Sequence, residues 1–310
     1  MTYSIVARDA DTGELGAAIQ SAAFCCGVGT VWVEAGVGAV VTQSFTDPSY
    51  GPLCLLALRS GATAAAALAG ATRRDRLSPY RQVGVVAALG TSAAHTGRSC
   101  IPEAGHIHRT NVSCQANMMD RDTVWAAMLE AFGGAAGTLA ERLMVALEAA
   151  QDEGGDWRGQ EAGRVLVVRG DPTGNPWEDV TCDVRVDDHP QPVAELRRLV
   201  LRNKALRAAA DAGEKSVAAA VEAALAAGLE EPHVVIAALR TAVATGEVEE
   251  ARAHLNRLLA REPRYLELVR RLPNLPAMLG IEPVLPVPAV SRPGAGRAGS
   301  RGPRSGPARR

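Results

Sequence analysis

The order of apolar and polar positions divides the chain into three textures. Over residues 1–190, short runs rich in Val, Ile and Ala predict strands. The first are TYSIVARD, a turn at ADTGE, its partner LGAAIQSAAF, and a second hairpin TVWVEAGVGAVVTQSF bent at Ala35-Gly36. Helical text follows in SYGPLCLLALRSG, closed by Gly61, and in TAAAALAGATRRD, opened by Thr63. Strands return at RQVGVVAAL, SAAHTG and TNVSCQANM. DTVWAAMLEAF, with Asp120 or Asp122 as its cap, and LAERLMVALEAAQ, capped by Thr138, predict a helix pair; GRVLVVRG and DVTCDVRVDD predict two late strands. Runs of strands separated by helix pairs are not a βαβ alternation. They predict antiparallel sheets covered by helices, an α+β layered sandwich. Segments such as VGVV and VLVV, apolar at every position, fit sheets buried on both faces.

From 191 to 282 apolar residues recur every three or four positions, and each segment ends at Gly or Pro. The segments are PVAELRRLVLRNKALRAAADAG, SVAAAVEAALAAG, EPHVVIAALRTAVATG, EVEEARAHLNRLLAREP and RYLELVRRLP. One stretch, ATGEVEEARAHLNRLLAREP, resembles a single tetratricopeptide-like unit, with Gly246 in the turn, Ala251 at the helix crossing and Pro263 at the exit. Solenoids need about three repeats to bury a core. A small helical extension that can bind protein is the expectation. Residues 283–310 are Pro, Gly, Ser and Arg with almost nothing apolar after Val290, a composition that cannot repay ordering entropy and predicts a disordered tail. No aromatic residue interleaves with its arginines, so a solvated tail is expected rather than a nucleic-acid grip.

Composition narrows this picture. Hydrophobic residues make up 47% of the 310 positions and aromatics only 4%, so the core is built from Ala, Val and Leu. A net charge of −1 supplies no global attraction to nucleic acid or an anionic membrane. No apolar run reaches the roughly 18–20 residues of a spanning helix. The start MTYSIVARD has neither a basic n-region nor an apolar h-region, and a soluble cytoplasmic protein is expected. Cys25, Cys26, Cys54, Cys100, Cys114 and Cys182 form no CxxC pair, which predicts reduced, buried thiols. Lys204 and Lys215 are the only lysines.

The candidate chemistry begins at Thr2. Trimming of the initiator Met before so small a residue frees the Thr2 amine. An alkyl hydroxyl needs a base to become a nucleophile, and an N-terminal amine, with an ordinary pKa of about 7.7–8.0, is such a base. Nucleophile and base then share one residue at the head of a strand. A start of Met-Thr followed by a strand carries little weight by itself; the text around it carries more.

The blocks TYSIVARDADTGELGAAIQS, EAGVGAVVTQSFTDPSYGP, RQVGVV, AAHTG, CQANMM, GGDWRG and DVRVDDHPQPVAELRRL run in unbroken order over residues 2–202. Together they resemble the bacterial domain-of-unknown-function family 1028. The resemblance implies the N-terminal-nucleophile hydrolase fold, a four-layer αββα sandwich, here followed by a small all-α extension. It implies hydrolysis of a small-molecule amide by Thr2, without cofactor or metal, in a chain that can form a homo-oligomer. A binding or scaffold protein that kept the fold is the alternative. Carried over by position, Thr2, Asn117, Asp156 and Arg158 are the candidate catalytic residues. Ser4, Gln20, Ser21, Thr42, Gln43, Tyr50, His95, Asp187 and His189 are the candidates to line the substrate. Two departures stand out: Ala116 replaces the family's usual Gly, and no lysine precedes residue 204 to lower the nucleophile's pKa. Arg8, Arg98 or Arg158 would supply positive charge instead, without shuttling protons, or the role is absent. Asn117 or backbone amides would supply the oxyanion hole.

Bland readings stand beside these. Asp188 can cap the helix PVAELRRLV with Pro190 in its first turn. His106 and His108 share a strand face but have no third ligand nearby in sequence, so a surface strand is favoured over a metal site. The Gly pairs in CGVGTV and AGVGAV match neither a GxGxxG nor a GxxxxGK loop, and no GxSxG or HExxH motif occurs.

Overall fold

The computed structural model describes residues 2–211, 232–271 and 275–280. By internal contacts the chain divides into two compact units, Met1–Ala237 and Ala238–Arg310.

The first unit is built on two antiparallel sheets. One contains β1 (Thr2–Arg8), β2 (Leu15–Ser21), β7 (Gly105–Arg109), β8 (Val112–Asn117), β9 (Ala162–Val168) and β10 (Val180–Val186), in the order β10-β9-β2-β1-β8-β7. The other contains β3 (Val31–Glu34), β4 (Gly38–Ser44), β5 (Arg81–Ala87) and β6 (Ser92–Thr96), in sequence order. Helices α3 (Val124–Gly134), α4 (Leu139–Asp152) and α6 (Pro192–Asp211) cover one face of the larger sheet. There Tyr3, Ile5, Ala7, Cys114 and Val165 pack with Leu143, Met144, Leu147 and Leu196. Its opposite face meets the smaller sheet through Val6, Leu15, Ala17, Ile19, Val41 and Val86. Helices α1 (Tyr50–Arg59) and α2 (Ala64–Thr72) close the far face of the smaller sheet, where Val40, Val83 and Val85 meet Cys54, Leu58 and Leu68. A four-residue helix, α5 (Pro176–Asp179), precedes β10.

Local chemistry sets most of the ends. Gly61, at φ +87°, leaves α1 while Ala62 N–H returns to Ala57 O, and Thr63 Oγ1 accepts from Ala66 N–H at the start of α2. Thr138 and Glu141 form a reciprocal capping box on α4. Two ends differ from expectation. Thr123, rather than Asp120 or Asp122, occupies the N-cap of α3 and makes no side-chain cap bond. α6 begins at Pro192, past Asp188 and Pro190; the preceding turn is held by His189 Nδ1, which accepts from Gln191 N–H at 3.0 Å. Because Val193, Leu196 and Val200 of α6 sit in the same core as β1, the first unit runs well past residue 190.

Helix α7 (Pro232–Thr245) ends at Gly246, whose φ is +80°. In the second unit α8 (Val248–Arg261), α9 (Tyr265–Arg271) and α10 (Leu275–Leu279) pack on one another and bury Ala251, Leu258 and Val269. The segment SVAAAVEAALAAG and the tail 283–310 lie outside the described residues. Among the described residues no helix is long and apolar enough to cross a membrane, and no cluster of three metal-ligating side chains occurs. All six cysteines are free thiols, and five are buried.

Candidate active site at the head of the first strand

β1 is a central strand, paired with β2 and β8. Its register sets Thr2 opposite Ser21 on one side and Asn117 on the other. Side chains alternate across a strand, so Thr2, Ser4 and Val6 turn toward the second sheet while Tyr3, Ile5 and Ala7 turn toward the helices. Thr2 retains 6% exposure, and its Oγ1 donates to Ser21 Oγ at 3.0 Å. Its carbonyl oxygen accepts from Gln43 Nε2 at 3.1 Å and Asn117 Nδ2 at 3.4 Å. The head of the strand is therefore gripped from both sheets.

The loop after α4 closes the other side. Asp156, its side chain fully buried, accepts from Ala22 N–H at 3.4 Å, one residue past Ser21. Arg158 meets the Asp156 carboxylate with two nitrogens, Nε at 3.2 Å and Nη2 at 2.8 Å, and Arg158 N–H donates to it at 3.0 Å. A quarter of the Arg158 side chain stays exposed. Across the sheet, burial foremost and then the Asp156 carboxylate hold the Tyr3 phenol well above its ordinary pKa, and its hydroxyl donates to Gln151 Oε1 at 3.0 Å.

Behind Thr2 lies a buried amide network that sequence reasoning missed. Gln82 Nε2 donates to Ala116 O (2.8 Å), Thr96 Oγ1 (2.9 Å) and Gly105 O (3.1 Å). Gln82 Oε1 accepts from Gln43 Nε2 (2.7 Å) and Asn117 Nδ2 (2.8 Å). Ser4 Oγ donates to Gln43 Oε1 and accepts from Gln115 Nε2, while Gln115 Oε1 accepts from Ser113 Oγ. Gly84 makes room for this: a Cβ there would stand 2.2 Å from Gln115 Oε1. The signal available in sequence was the amides Gln82, Gln115 and Asn117 inside the largely apolar strand segments RQVGVV and SCQANM.

The candidates therefore separate. Thr2, Ser21, Asn117, Asp156, Arg158 and Gln43 converge. Asn117, expected as an oxyanion donor, instead directs Nδ2 to Thr2 O and Gln82 Oε1. Ser4 is fully buried within the network and lines no substrate. Gln20 pairs with Tyr3 and Gly163 and so faces the helices, where its buried amide has no hydrogen-bond partner. Thr42 and His95 fall on the α1–α2 face of the second sheet, and His95 Nε2 lies 2.8 Å from Ser78 O. Tyr50 is buried in that same layer with its hydroxyl on Asp75 at 3.1 Å.

Asp187 and His189 reach only the rim. Asp187 pairs with Arg185 at 2.6 Å and accepts at its carbonyl from Cys25 N–H, whereas His189 N–H donates to Glu161 O and Glu161 N–H to Ser21 O. His106 and His108, with ring centroids 6.2 Å apart, contact Thr96 and Ser92 hydroxyls respectively. Of the three arginines proposed to replace the missing lysine, Arg158 joins this group through Asp156, whereas Arg8 ends the strand at its far end.

Comparison with known proteins agrees with the family read from the sequence. The model of a family of unknown function (DUF1028) matches residues 2–196. The crystal structure of protein SPO2555 from Silicibacter pomeroyi, of the same family, is similar at a TM-score of 0.59 and 29% identity, covering 65% of this chain and 85% of that one. No curated protein matches.

Proposed function

The chain belongs to the DUF1028 family, and from its site we propose that it is an N-terminal-nucleophile hydrolase of a small-molecule amide. The stack of helices, two antiparallel sheets and helices, with β1 central, supports an αββα sandwich of that class. The observation that carries the reading is Thr2 itself. It heads a central strand with its carbonyl held from two sheets, its hydroxyl on Ser21, and the Asp156–Arg158 pair one residue beyond Ser21.

Once Met1 is removed, the Thr2 amine takes the proton of its own Oγ1, and Oγ1 attacks the amide carbon. The proton passes to the leaving amine as the C–N bond breaks. Water, deprotonated by the same amine, then hydrolyses the acyl ester and restores Thr2. Gln43 and Asn117 act as positioning residues, since both amides bind the Thr2 carbonyl. Arg158, fixed by Asp156, lends the positive charge that a lysine supplies elsewhere, and backbone amides receive the oxyanion.

Rival nucleophiles fare worse. Ser4 is fully buried and engaged on both sides. Desolvation and the Asp187 carboxylate push the Cys25 thiol up, away from the reactive thiolate. A second reading, a binding protein that retains the fold without chemistry, is favoured by the internal commitment of the Asn117 amide. Intact mass and a Thr2→Ala variant separate the two. The hydrolase reading expects mature protein lacking Met1 and a loss of turnover of at least about a thousandfold in Thr2→Ala. Retained Met1, or mature protein without turnover, selects the binding protein; turnover surviving in Thr2→Ala removes Thr2 as the nucleophile.

A further inference from the structure

The two strands that grip the Thr2 carbonyl both continue into one small cavity. Gln43 is followed by Ser44 and Phe45, and Asn117 by Met118; Ser44, Phe45, Asn117 and Met118, with Tyr80, Ser99 and Ile101, line a space of about 250 Å³. Ser44 and Met118 adopt φ of +68° and +57°, a left-handed conformation that is unfavourable for non-glycine residues and recurs where function demands it. Both turn the chain away immediately after the residue that holds Thr2. Backbone bonds fix the walls in pairs: Phe45 N–H donates to Tyr80 O at 3.2 Å, and Met118 N–H to Ile101 O at 3.0 Å.

The lining carries no charged side chain. Phe45, Tyr80 and Ile101 remain 62%, 47% and 50% exposed, so apolar surface is gathered at a mouth instead of being buried. The volume falls below the roughly 300–1,000 Å³ of sites that enclose a whole drug-sized ligand. It suits one substituent of branched-aliphatic or benzyl size.

Resting on the reading of Thr2 as nucleophile, we infer that this cavity receives the acyl side group of the substrate and selects amides of uncharged, medium-sized apolar acids. Asn117 links the two, since it lines the cavity and touches the Thr2 carbonyl.

Three N-acyl glycinamides (acetyl, isovaleryl and phenylacetyl) test this. Binding is measured calorimetrically to Thr2→Ala, with its fold checked by circular dichroism, and hydrolysis is measured with Thr2 present. Phenylacetyl and isovaleryl glycinamide should each bind at least about tenfold more tightly than acetyl. Ile101→Trp, at a half-exposed position, fills the cavity and should bring the three within about twofold. Tyr80→Ala, which enlarges it, should retain the preference for the larger groups. Equal binding of all three to Thr2→Ala, or a ranking unchanged by Ile101→Trp, overturns the assignment. If binding follows the expected ranking but no glycinamide is hydrolysed, the nucleophile reading fails and the cavity stands as a ligand subsite. If hydrolysis proceeds with the same acyl ranking in Ile101→Trp, the reverse holds.

Discussion

The layer between the two sheets changes character along its length. Toward the Arg8 end of β1, Val6, Leu15, Ala17 and Val86 meet as plain hydrocarbon, bordered by Val41 and by Ile19 opposite Ser4. Toward the Thr2 end, Ser4, Gln43, Gln82, Gln115 and Asn117 meet through hydrogen bonds in the same buried space. The apolar half contributes stability roughly in proportion to area, at about 25 cal/mol per Å², and tolerates neighbours of similar volume. The amide half contributes only about 0.5–1.5 kcal/mol net per bond, yet every unmet donor left by a slip of the strands costs more than that. One half supplies stability; the other holds the end of β1 in a single geometry. A nucleophile at the head of a strand needs the second kind of support, because its hydroxyl must stay fixed against its neighbours.

Breaking each half separately tests the division. Leu15→Ala removes a fully buried side chain, paired with Arg8 in the apolar half, and should cost about 4 kcal/mol. The shift would appear in the urea midpoint at unchanged slope. The Thr2 neighbourhood, several residues away, should keep its ligand binding. Gln82→Leu keeps the volume but takes one acceptor each from Gln43 Nε2 and Asn117 Nδ2, at about 1–3 kcal/mol each, so about 3 kcal/mol is expected. Here the binding of glycinamides should weaken too, since Gln43 and Asn117 hold Thr2. If Gln82→Leu instead costs under about 1 kcal/mol and leaves binding intact, the amide half has no positioning role.

Ser4→Ala refines the contrast at smaller cost. It removes one hydroxyl that both donates to Gln43 and accepts from Gln115. About 1.5 kcal/mol is expected, with the remaining amides free to re-pair locally. Combined with Gln82→Leu it should fall short of additivity, because the two side chains share Gln43. Strict additivity would mean that the amides act as independent pairs.

This division also explains which parts of the site were legible in the sequence. Strand and helix identities followed from apolar runs and from caps such as Gly61, Thr63 and Thr138, which act locally. The first residue of the site was legible for the same reason, since Thr2 heads a clear strand. Facing was not. Gln20 and Ser21, like Thr42 and Gln43, are adjacent on strands buried on both sides, so alternation gave no hint which of each pair points inward. Pairing register decides it: Ser21 and Gln43 reach Thr2, while Gln20 and Thr42 turn to the helical layers. The role of Asn117 changed likewise, because Gln82, 35 positions away in sequence, takes its amide. Tyr50 and His95 carried polar groups in suggestive blocks, but their partners Asp75 and Ser78 O lie on the far side of the second sheet.

The smallest effect is also the most selective, because only the amide half connects to a titrating group. Gln82 binds Thr96, and Thr96 Oγ1 lies 2.8 Å from His106 Nδ1. Burial first, then the positive charge that His108 and His95 would add, hold His106 below its ordinary value of 6.5. Between the native value and 6.5 the unfolded chain therefore binds more protons than the native one. Stability from this group is fully present above 6.5 and is lost as pH falls toward the native value. The lowered carboxylates Asp9, Asp75 and Glu141 act in a separate window, where stability is lost only as pH falls below their ordinary 3.8–4.5. His254, lowered by its own burial, titrates on the same side of neutrality, so the comparison must be a difference between two proteins. Unfolding free energies measured from about pH 7.5 to 5 should decline less steeply in His106→Gln than in the parent. Leu15→Ala should lower the curve without changing its slope, as the side chains meeting there carry no group that titrates between about pH 7.5 and 5. Parallel curves for His106→Gln and the parent would detach the histidine from the amide network, leaving the Thr2 end of the sandwich insensitive to mild acid.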